Sequence, residues 1–225
     1  MPKICPLPVK IFTGRKEILD KMSQYFYSGH KAQHVFVLHG LGGSGKSQLA
    51  LKFLEDSQAN QWYGFIKCAI DTIYSSIFYR FSDIFYIDAT NQQTLEADLT
   101  AITPTNVEQL VDACKHWLAH KYKENWLLFF DNADDVQLNL ATFFPKCRFG
   151  NILITTCNPQ LSIYADQGAD AKVADMDPED AKNLLMQMSQ AENTDENKKL
   201  VASIVKVLLI IIFYDIYLQA NYWNI

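Results

Sequence analysis

The sequence predicts an α/β domain in which a parallel β-sheet is covered by helices on both faces. Short apolar runs that are typical of buried strands alternate with longer stretches whose apolar residues recur at helical spacing. One apolar run leads into a glycine-rich loop, and a later one ends in an aspartate. Hydrophobic residues make up 49% of the 225 residues and charged residues 20%, a balance that excludes a largely disordered chain.

The predicted strands are short runs of apolar residues, which suit strands that are buried on both faces of a sheet. They are, in chain order, 34–39, 83–88, 126–130, 151–155 and 172–175. Such strands, alternating with helices, favour parallel pairing.

The predicted helices are marked by apolar periodicity and by capping residues. Thr105 and Glu108 match a capping box, and Asp177 followed by Pro178 is typical of an N-cap and a first helical residue. The helices are expected over 15–28, from about Gly45 onward, over 91–99, over 105–120 and after Asp177.

The loop after the first predicted strand, GLGGSGKS at 40–47, matches G-x-x-x-x-G-K-[ST] in full. Glycines let the main chain approach an anion closely, and the successive N–H groups and the new helix start then face it. Lys46 is expected to reach the β- and γ-phosphates, and Ser47 to bind Mg²⁺. The predicted phosphate-binding residues are Gly40, Gly42, Gly43, Ser44, Gly45, Lys46, Ser47 and Gln48.

Acidic residues follow the apolar run LLFF, which is typical of a Walker B strand. Asp131 is expected to hold Mg²⁺ at the carboxyl edge of the sheet, together with Ser47. Asn132 stands where many P-loop ATPases carry a second acid, so Asp134 and Asp135 are the candidates for activating water, with a turn-capping role as the alternative. Thr155, at the end of the next strand, is a candidate contact to the γ-phosphate; the alternative is that it only ends the strand.

Together these motifs resemble the NB-ARC domain, the nucleotide-binding module of signal-transducing STAND-type P-loop ATPases. The resemblance is strongest to fungal versions that also carry tetratricopeptide arrays. The matching segments are FTGR at 12–15, VFVLHGLGGSGKSQLA at 35–50, WLLFFDNADD at 126–135 and GNILITT at 150–156.

The resemblance implies a three-layer P-loop NTPase fold of the ASCE type, with one strand inserted between the Walker A and Walker B strands. It also implies that Gly14 and Arg15 lie near the adenine. The implied function is a switch that holds ADP when closed and ATP when open, with weak or no hydrolysis, and that acts on a protein partner or by self-association. The alternatives are a P-loop small-molecule kinase and a non-binding relic that acts through surface contacts.

Three departures from this family stand out in the sequence. Cys157 occupies the place where the family usually carries a sensor arginine, and a thiol cannot replace a guanidinium. Two aromatic, charge-poor stretches, 59–80 and 206–225, look foreign to the domain, and we expect them to be either translated non-coding sequence or a truncated relic. The later family domains, with their Gly-x-Pro motif and winged helix, are not expected here. The expected layout is an irregular segment at 1–11, a nucleotide-binding domain at 12–205 and an apolar tail at 206–225.

The net charge and the cysteine content restrict the classes of binding partner and the cellular compartment that we expect. The net charge of −5 disfavours a nucleic-acid binder that works by bulk charge. The five cysteines include no C-x-x-C pair, which favours reduced thiols in the cytoplasm. No stretch is expected to span a membrane. The expected ligands are therefore ADP or ATP with Mg²⁺.

Overall fold

The computed structural model describes residues 2–26, 28, 32–68, 81–104, 110–120, 122 and 125–222, and for 59–68 and 209–222 it describes the backbone alone. The strands are β1 (His34–His39), β2 (Asp83–Asp88), β3 (Trp126–Asp131), β4 (Asn151–Thr156) and β5 (Asp170–Lys172). The helices are α1 (Lys16–Phe26), α2 (Lys46–Cys68), α3 (Gln92–Thr100), α4 (Val111–His120), α5 (Pro178–Ser189) and α6 (Asp195–Tyr222). Short 3₁₀ helices cover Leu140–Phe143 and Pro159–Tyr164.

The five strands form one parallel sheet in the order β2-β3-β4-β1-β5. β4 therefore lies between β1, which leads into the glycine-rich loop, and β3, which ends in Asp131. The predicted α/β P-loop NTPase fold is confirmed, including the strand inserted between the two motif-bearing strands. The carboxyl ends of β1, β3 and β4 consequently meet at one edge of the sheet.

The apolar runs form the centre of the sheet because their side chains are buried on both faces. All six residues of β4 and the first five residues of β3 are buried. One face packs into a continuous core that includes Leu95, Leu118 and Phe143. The indole Nε1 of Trp126 donates to the carbonyl of Leu118 at 3.2 Å, which fastens α4 to β3. This packing fixes the strand ends that carry the polar residues.

The predicted strand at 172–175 is misplaced. The fifth strand is Asp170–Lys172, and it pairs with residues 37–39 at the edge of the sheet. Only Ala171 among its three residues is buried, so an edge strand of this length carries almost no apolar signal. The Val173 N–H still donates to the His39 carbonyl at 2.7 Å, just beyond the strand.

Helix starts agree with the capping residues where they can be compared. Asp177 accepts hydrogen bonds from the N–H groups of Glu179 and Asp180 at 2.8 and 3.4 Å, which confirms it as the N-cap of α5. Asn91 caps α3 in the same way through Thr94 N at 2.9 Å. The capping box at 105–108 lies outside the described residues.

The chain divides into two compact units, one with Met1–Pro8 and Lys16–Ala174, the other with Val9–Arg15 and Asp175–Ile225. The first contains the whole sheet and α1 to α4. The second contains α5 and α6, which contact each other. α2 extends into the aromatic stretch as far as Cys68, and α6 covers most of the apolar tail. Among the described residues, no helix combines the length and the apolar character needed to cross a bilayer.

Candidate functional site

The glycine-rich loop joins β1 to α2 at the carboxyl edge of the sheet. Gly43 and Gly45 have φ values of 76° and 90°, a region that residues with a Cβ rarely adopt. A Cβ placed on either glycine, or on Gly42, would meet no atom of the described residues within 4 Å, its two chain neighbours aside. A Cβ on Gly40, in contrast, would collide with the carbonyl of Val173. The glycines thus permit the turn, and the loop surface at three of them is open.

Lys46 is the first residue of α2, and its side chain turns back into the loop. The residue is only 8% exposed. Its ammonium donates to the carbonyls of Gly40 at 2.9 Å and Leu41 at 2.8 Å, and to the sulfur of Cys157 at 3.2 Å. A buried cation is costly without acceptors, so these contacts stabilise the charge within the loop. The ammonium of Lys46, which the sequence predicts as a phosphate ligand, therefore lies among the carbonyls of the glycine-rich loop.

Asp131, at the end of β3, forms hydrogen bonds with the last residue of the glycine-rich loop and with the end of β4. Its Oδ1 accepts hydrogen bonds from the Ser47 hydroxyl at 2.7 Å and from the Thr155 hydroxyl at 2.6 Å. The structure therefore brings together three residues that the sequence assigned separately, from α2, β3 and β4. A serine hydroxyl beside a carboxylate is a set of hard oxygen donors that suits Mg²⁺. The donors present fit the metal that the motif implies.

Tyr86 is a site residue that the sequence analysis missed. It lies on β2, which pairs with β3, and its hydroxyl donates to the Asp131 Oδ2 at 3.2 Å. A phenol near the end of an otherwise apolar strand was the available signal. That signal becomes specific only once β2 is known to lie beside β3. Asp131 thus has hydroxyl donors on both carboxylate oxygens.

The first residues of the chain also reach this side of the site. Lys3 forms ion pairs with Asp88 at 3.2 Å and Asp98 at 3.3 Å, and its ammonium lies 5.4 Å from the ring centre of Tyr86. Burial, together with the charge of Asp131, raises the pKa of the Cys5 thiol to about 11. The segment expected to be irregular therefore packs beside the Asp131 carboxylate. Its sequence gave no motif that would have indicated this.

The loop after β3 is held by hydrogen bonds to the end of β4 and by one within the loop. The Asn132 N–H donates to the Thr155 hydroxyl at 2.9 Å, and Asn132 itself has a φ of 62°. Asp134 accepts hydrogen bonds from the Thr156 hydroxyl at 3.1 Å and from the Cys157 N–H. Asp135 accepts one from the Gln137 N–H at 2.9 Å. Both carboxylates thus stabilise the connections near the site.

Main-chain hydrogen bonds join the end of β4 to both motifs. The Gly40 N–H donates to the Thr156 carbonyl at 3.2 Å. On the other side, the Ala133 N–H donates to the Thr155 carbonyl at 2.9 Å. The start of the glycine-rich loop and the residues that follow Asp131 are therefore held by adjacent peptide groups of one strand.

Two further predicted residues, Gly14 and Arg15, belong to the second unit. Their backbones have φ values of 77° and 60°. The Arg15 Nη1 donates to the carbonyl of Asp175 at 3.2 Å. Burial lowers the pKa of the Arg15 guanidinium, against the opposing effect of Asp175 and Asp180. Their described contacts are thus with residues at the start of α5. The polar side chain of Gln48 lies half-buried on α2.

Comparison with known proteins extends these observations. The family model described as AAA ATPase domain matches residues 11–148, more than half of the chain. The sequence matches no curated protein.

Two solved structures are similar in fold. Cdc6p from Pyrobaculum aerophilum has a TM-score of 0.53 and 13% identity, over 91% of this chain and 56% of that one. A Signal Transduction ATPase with Numerous Domains (STAND) protein with a tetratricopeptide repeat sensor, from Pyrococcus horikoshii, has a TM-score of 0.48 and 18% identity, over 87% of this chain and 28% of that one. This chain therefore spans about half the length of the first and just over a quarter of the second.

Proposed function

The chain belongs to the AAA ATPase domain family, and on that premise we propose that it binds ADP, or ATP with Mg²⁺, as a nucleotide-dependent switch of the NB-ARC type. The observation that carries the proposal is the hydrogen bond of 2.7 Å between the Ser47 hydroxyl and Asp131, since Ser47 directly follows Lys46, whose side chain is buried in the loop. Ser47 and Asp131 would supply the oxygens for the metal and Lys46 the cation for the phosphates, and the contact between Ser47 and Asp131 supports one shared site for both.

The phosphates would be held mainly by main-chain N–H groups. Successive amides at the start of a helix, in a loop with glycines at positive φ, form a concave anion-binding surface. Lys46 would exchange its contacts to Gly40 O and Leu41 O for phosphate oxygens. The residues proposed to surround the phosphates are Gly40, Gly42, Gly43, Ser44, Gly45, Lys46, Ser47 and Gln48.

Mg²⁺ would be held through the Ser47 hydroxyl and the Asp131 carboxylate. When bound, the ion would neutralise part of the phosphate charge. Thr155, only 1% exposed, would keep Asp131 in place and stand close to the terminal phosphate. The proposed metal site thus uses only Ser47, Asp131 and Thr155, and Asp131 is already hydrogen-bonded to the other two.

Turnover is proposed to be weak or absent. Asn132, which follows Asp131, has an amide and is no general base. The Asp134 carboxylate is engaged by Thr156 and Cys157 at the end of β4, and the Asp135 carboxylate by the nearby Gln137 N–H. These contacts favour a turn-capping role over water activation. A slowly turned-over nucleotide would suit a switch better than a metabolic ATPase.

The finer assignment to a fungal type of NB-ARC protein rests on the four matching sequence segments. On this proposal 12–205 is the nucleotide-binding domain, 1–11 precedes it and 206–225 is an apolar tail. Gly14 and Arg15 would contact the adenine through the main chain. A protein partner, or a second copy of the chain, would bind one nucleotide state of the chain in preference to the other. The cytoplasm is the proposed compartment, because the described cysteines are free thiols.

The test is ADP binding by the purified chain, measured by titration calorimetry. Lys46→Ala is expected to weaken binding by roughly a hundredfold, because a buried charge-assisted contact to phosphate is lost. Lys52→Ala is the matched control: it lies on the same helix, but its ammonium pairs with Glu55 and Asp56 on the surface. No binding by the unaltered chain, or equal binding by both variants, would overturn the site assignment.

A further inference from the structure

The Asp131 carboxylate is held from two sides. Ser47 and Thr155 donate to Oδ1, while the hydroxyl of Tyr86 donates to Oδ2. The terminal torsion of an aspartate is broad, so a carboxylate that is bound on one oxygen alone can rotate about that contact. A donor on the second oxygen removes this freedom. Tyr86 supplies that donor.

The direction of this hydrogen bond follows from the groups involved. The phenol hydroxyl carries a hydrogen and the carboxylate oxygen offers lone pairs, so Tyr86 donates and Asp131 Oδ2 accepts.

The aromatic ring of Tyr86 is also held in place by neighbouring side chains. Tyr86 contacts Phe129 edge to face, with ring centres 5.6 Å apart and an interplanar angle of 73°. The Lys3 ammonium lies over the ring and is held by Asp88 and Asp98. The parallel register pairs Tyr86 with Phe129, two residues before the pair Asp88 and Asp131. A fixed ring gives the hydroxyl a fixed position relative to Asp131.

We propose that Tyr86 is a positioning residue for the metal side of the site. By donating to Oδ2, it turns the Asp131 carboxylate so that Oδ1 faces Ser47, the other proposed ligand of Mg²⁺. The inference rests on the proposed function, because it assigns Tyr86 to the same nucleotide site. It concerns the Mg²⁺-dependent part of binding alone, because Tyr86 touches neither the loop nor Lys46 among the described contacts.

The experiment compares ADP affinity with Mg²⁺ and with EDTA. Tyr86→Phe removes the hydroxyl and keeps the ring. It is expected to reduce the gain in affinity that Mg²⁺ provides by about tenfold, the size expected for one lost hydrogen bond to a charged group. Affinity in EDTA is expected to stay unchanged. Asp131→Asn sets the upper limit, because it removes the charge that Tyr86 positions.

Tyr25→Phe is the matched control. The Tyr25 hydroxyl also donates to an aspartate, Asp166, and it accepts from the Val35 N–H at the amino end of β1, opposite to the loop. This variant is expected to lower the unfolding temperature and to leave the Mg²⁺ effect intact. A merely structural loss at Tyr86 would behave like this control, so equal Mg²⁺ effects in Tyr86→Phe and the unaltered chain overturn this inference alone. If the unaltered chain binds no ADP in either buffer, the proposed function fails with it.

Discussion

The phosphate side of the candidate site consists mainly of main-chain groups, whereas the metal side consists of side chains. On the phosphate side, the loop from Gly40 to Ser47 presents main chain, and its one buried charge, Lys46, is satisfied by carbonyls of the loop itself. On the metal side, a single carboxylate, Asp131, is held by hydroxyls from α2, β2 and β4. The first depends on local sequence, and the second depends on which strands are neighbours.

This difference predicts how each side responds to substitution. Binding at a main-chain site is sensitive to changes in backbone conformation and depends little on the side chains of neighbouring elements. A side-chain site loses one contact at a time, because each donor comes from a separate element. Three substitutions, taken in order of decreasing effect, test the contrast.

The largest effect is expected on the phosphate side, at Gly45. Gly45→Ala forces a residue with a Cβ into a backbone with a φ of 90°, at a cost of about 1–2 kcal/mol in stability. A loop that relaxes from this strain no longer directs its N–H groups at the phosphates, so ADP binding should fall by roughly a hundredfold.

Gly42→Ala is the control for this change, since Gly42 does not have a positive φ and its Cβ would meet no atom within 4 Å. The free energy of unfolding should match that of the unaltered chain in this variant. Calorimetric titration and urea unfolding measure both quantities. Equal losses of stability in the two variants would contradict a backbone origin.

A smaller effect is expected at Thr155, in the side-chain network. Thr155→Val keeps the shape of the side chain but leaves the Asn132 N–H without its acceptor and Asp131 without one donor. The free energy of unfolding should fall by about 1–3 kcal/mol. Thr142→Val is the comparison, because Thr142 is exposed and the described hydrogen bond of its hydroxyl goes to the nearby carbonyl of Asn139. Urea unfolding that shows the same small change in both variants would refute the network.

The smallest effect is expected at Cys157. Cys157→Ser exchanges one weak acceptor of the Lys46 ammonium for another, while the carbonyls of Gly40 and Leu41 remain. ADP affinity should change by no more than about threefold. A loss as large as that of Lys46→Ala would show that the thiol has a direct part in binding.

The same contrast explains which parts of the site could be predicted from sequence. The loop residues carry their chemistry in consecutive positions, so their spacing alone identified them. Asp131 was identified because it ends an apolar strand. Tyr86 and Lys3 were missed because they are 45 and 85 residues from their partners Asp131 and Asp88. Only strand order and chain path bring such pairs together.

The fold was predictable for the same reason. The central strands β1, β3 and β4 are buried on both faces and read as apolar runs, so they were placed at or within one residue of their observed bounds. Of the two edge strands, β2 carries the apolar run IFYI and was placed at its observed bounds, whereas the three-residue β5 carries almost no apolar signal and was shifted. The layout of the domains stays a prediction.

The position of β4 has one further consequence. Because its peptide groups bond to Gly40 on one side and to Ala133 on the other, the separation between the loop and the aspartate is set by strand spacing, about 4.8 Å per step. Residue replacements along β4 can therefore alter chemistry without changing this separation. A displacement of β4 itself, in contrast, would alter both halves of the site at once.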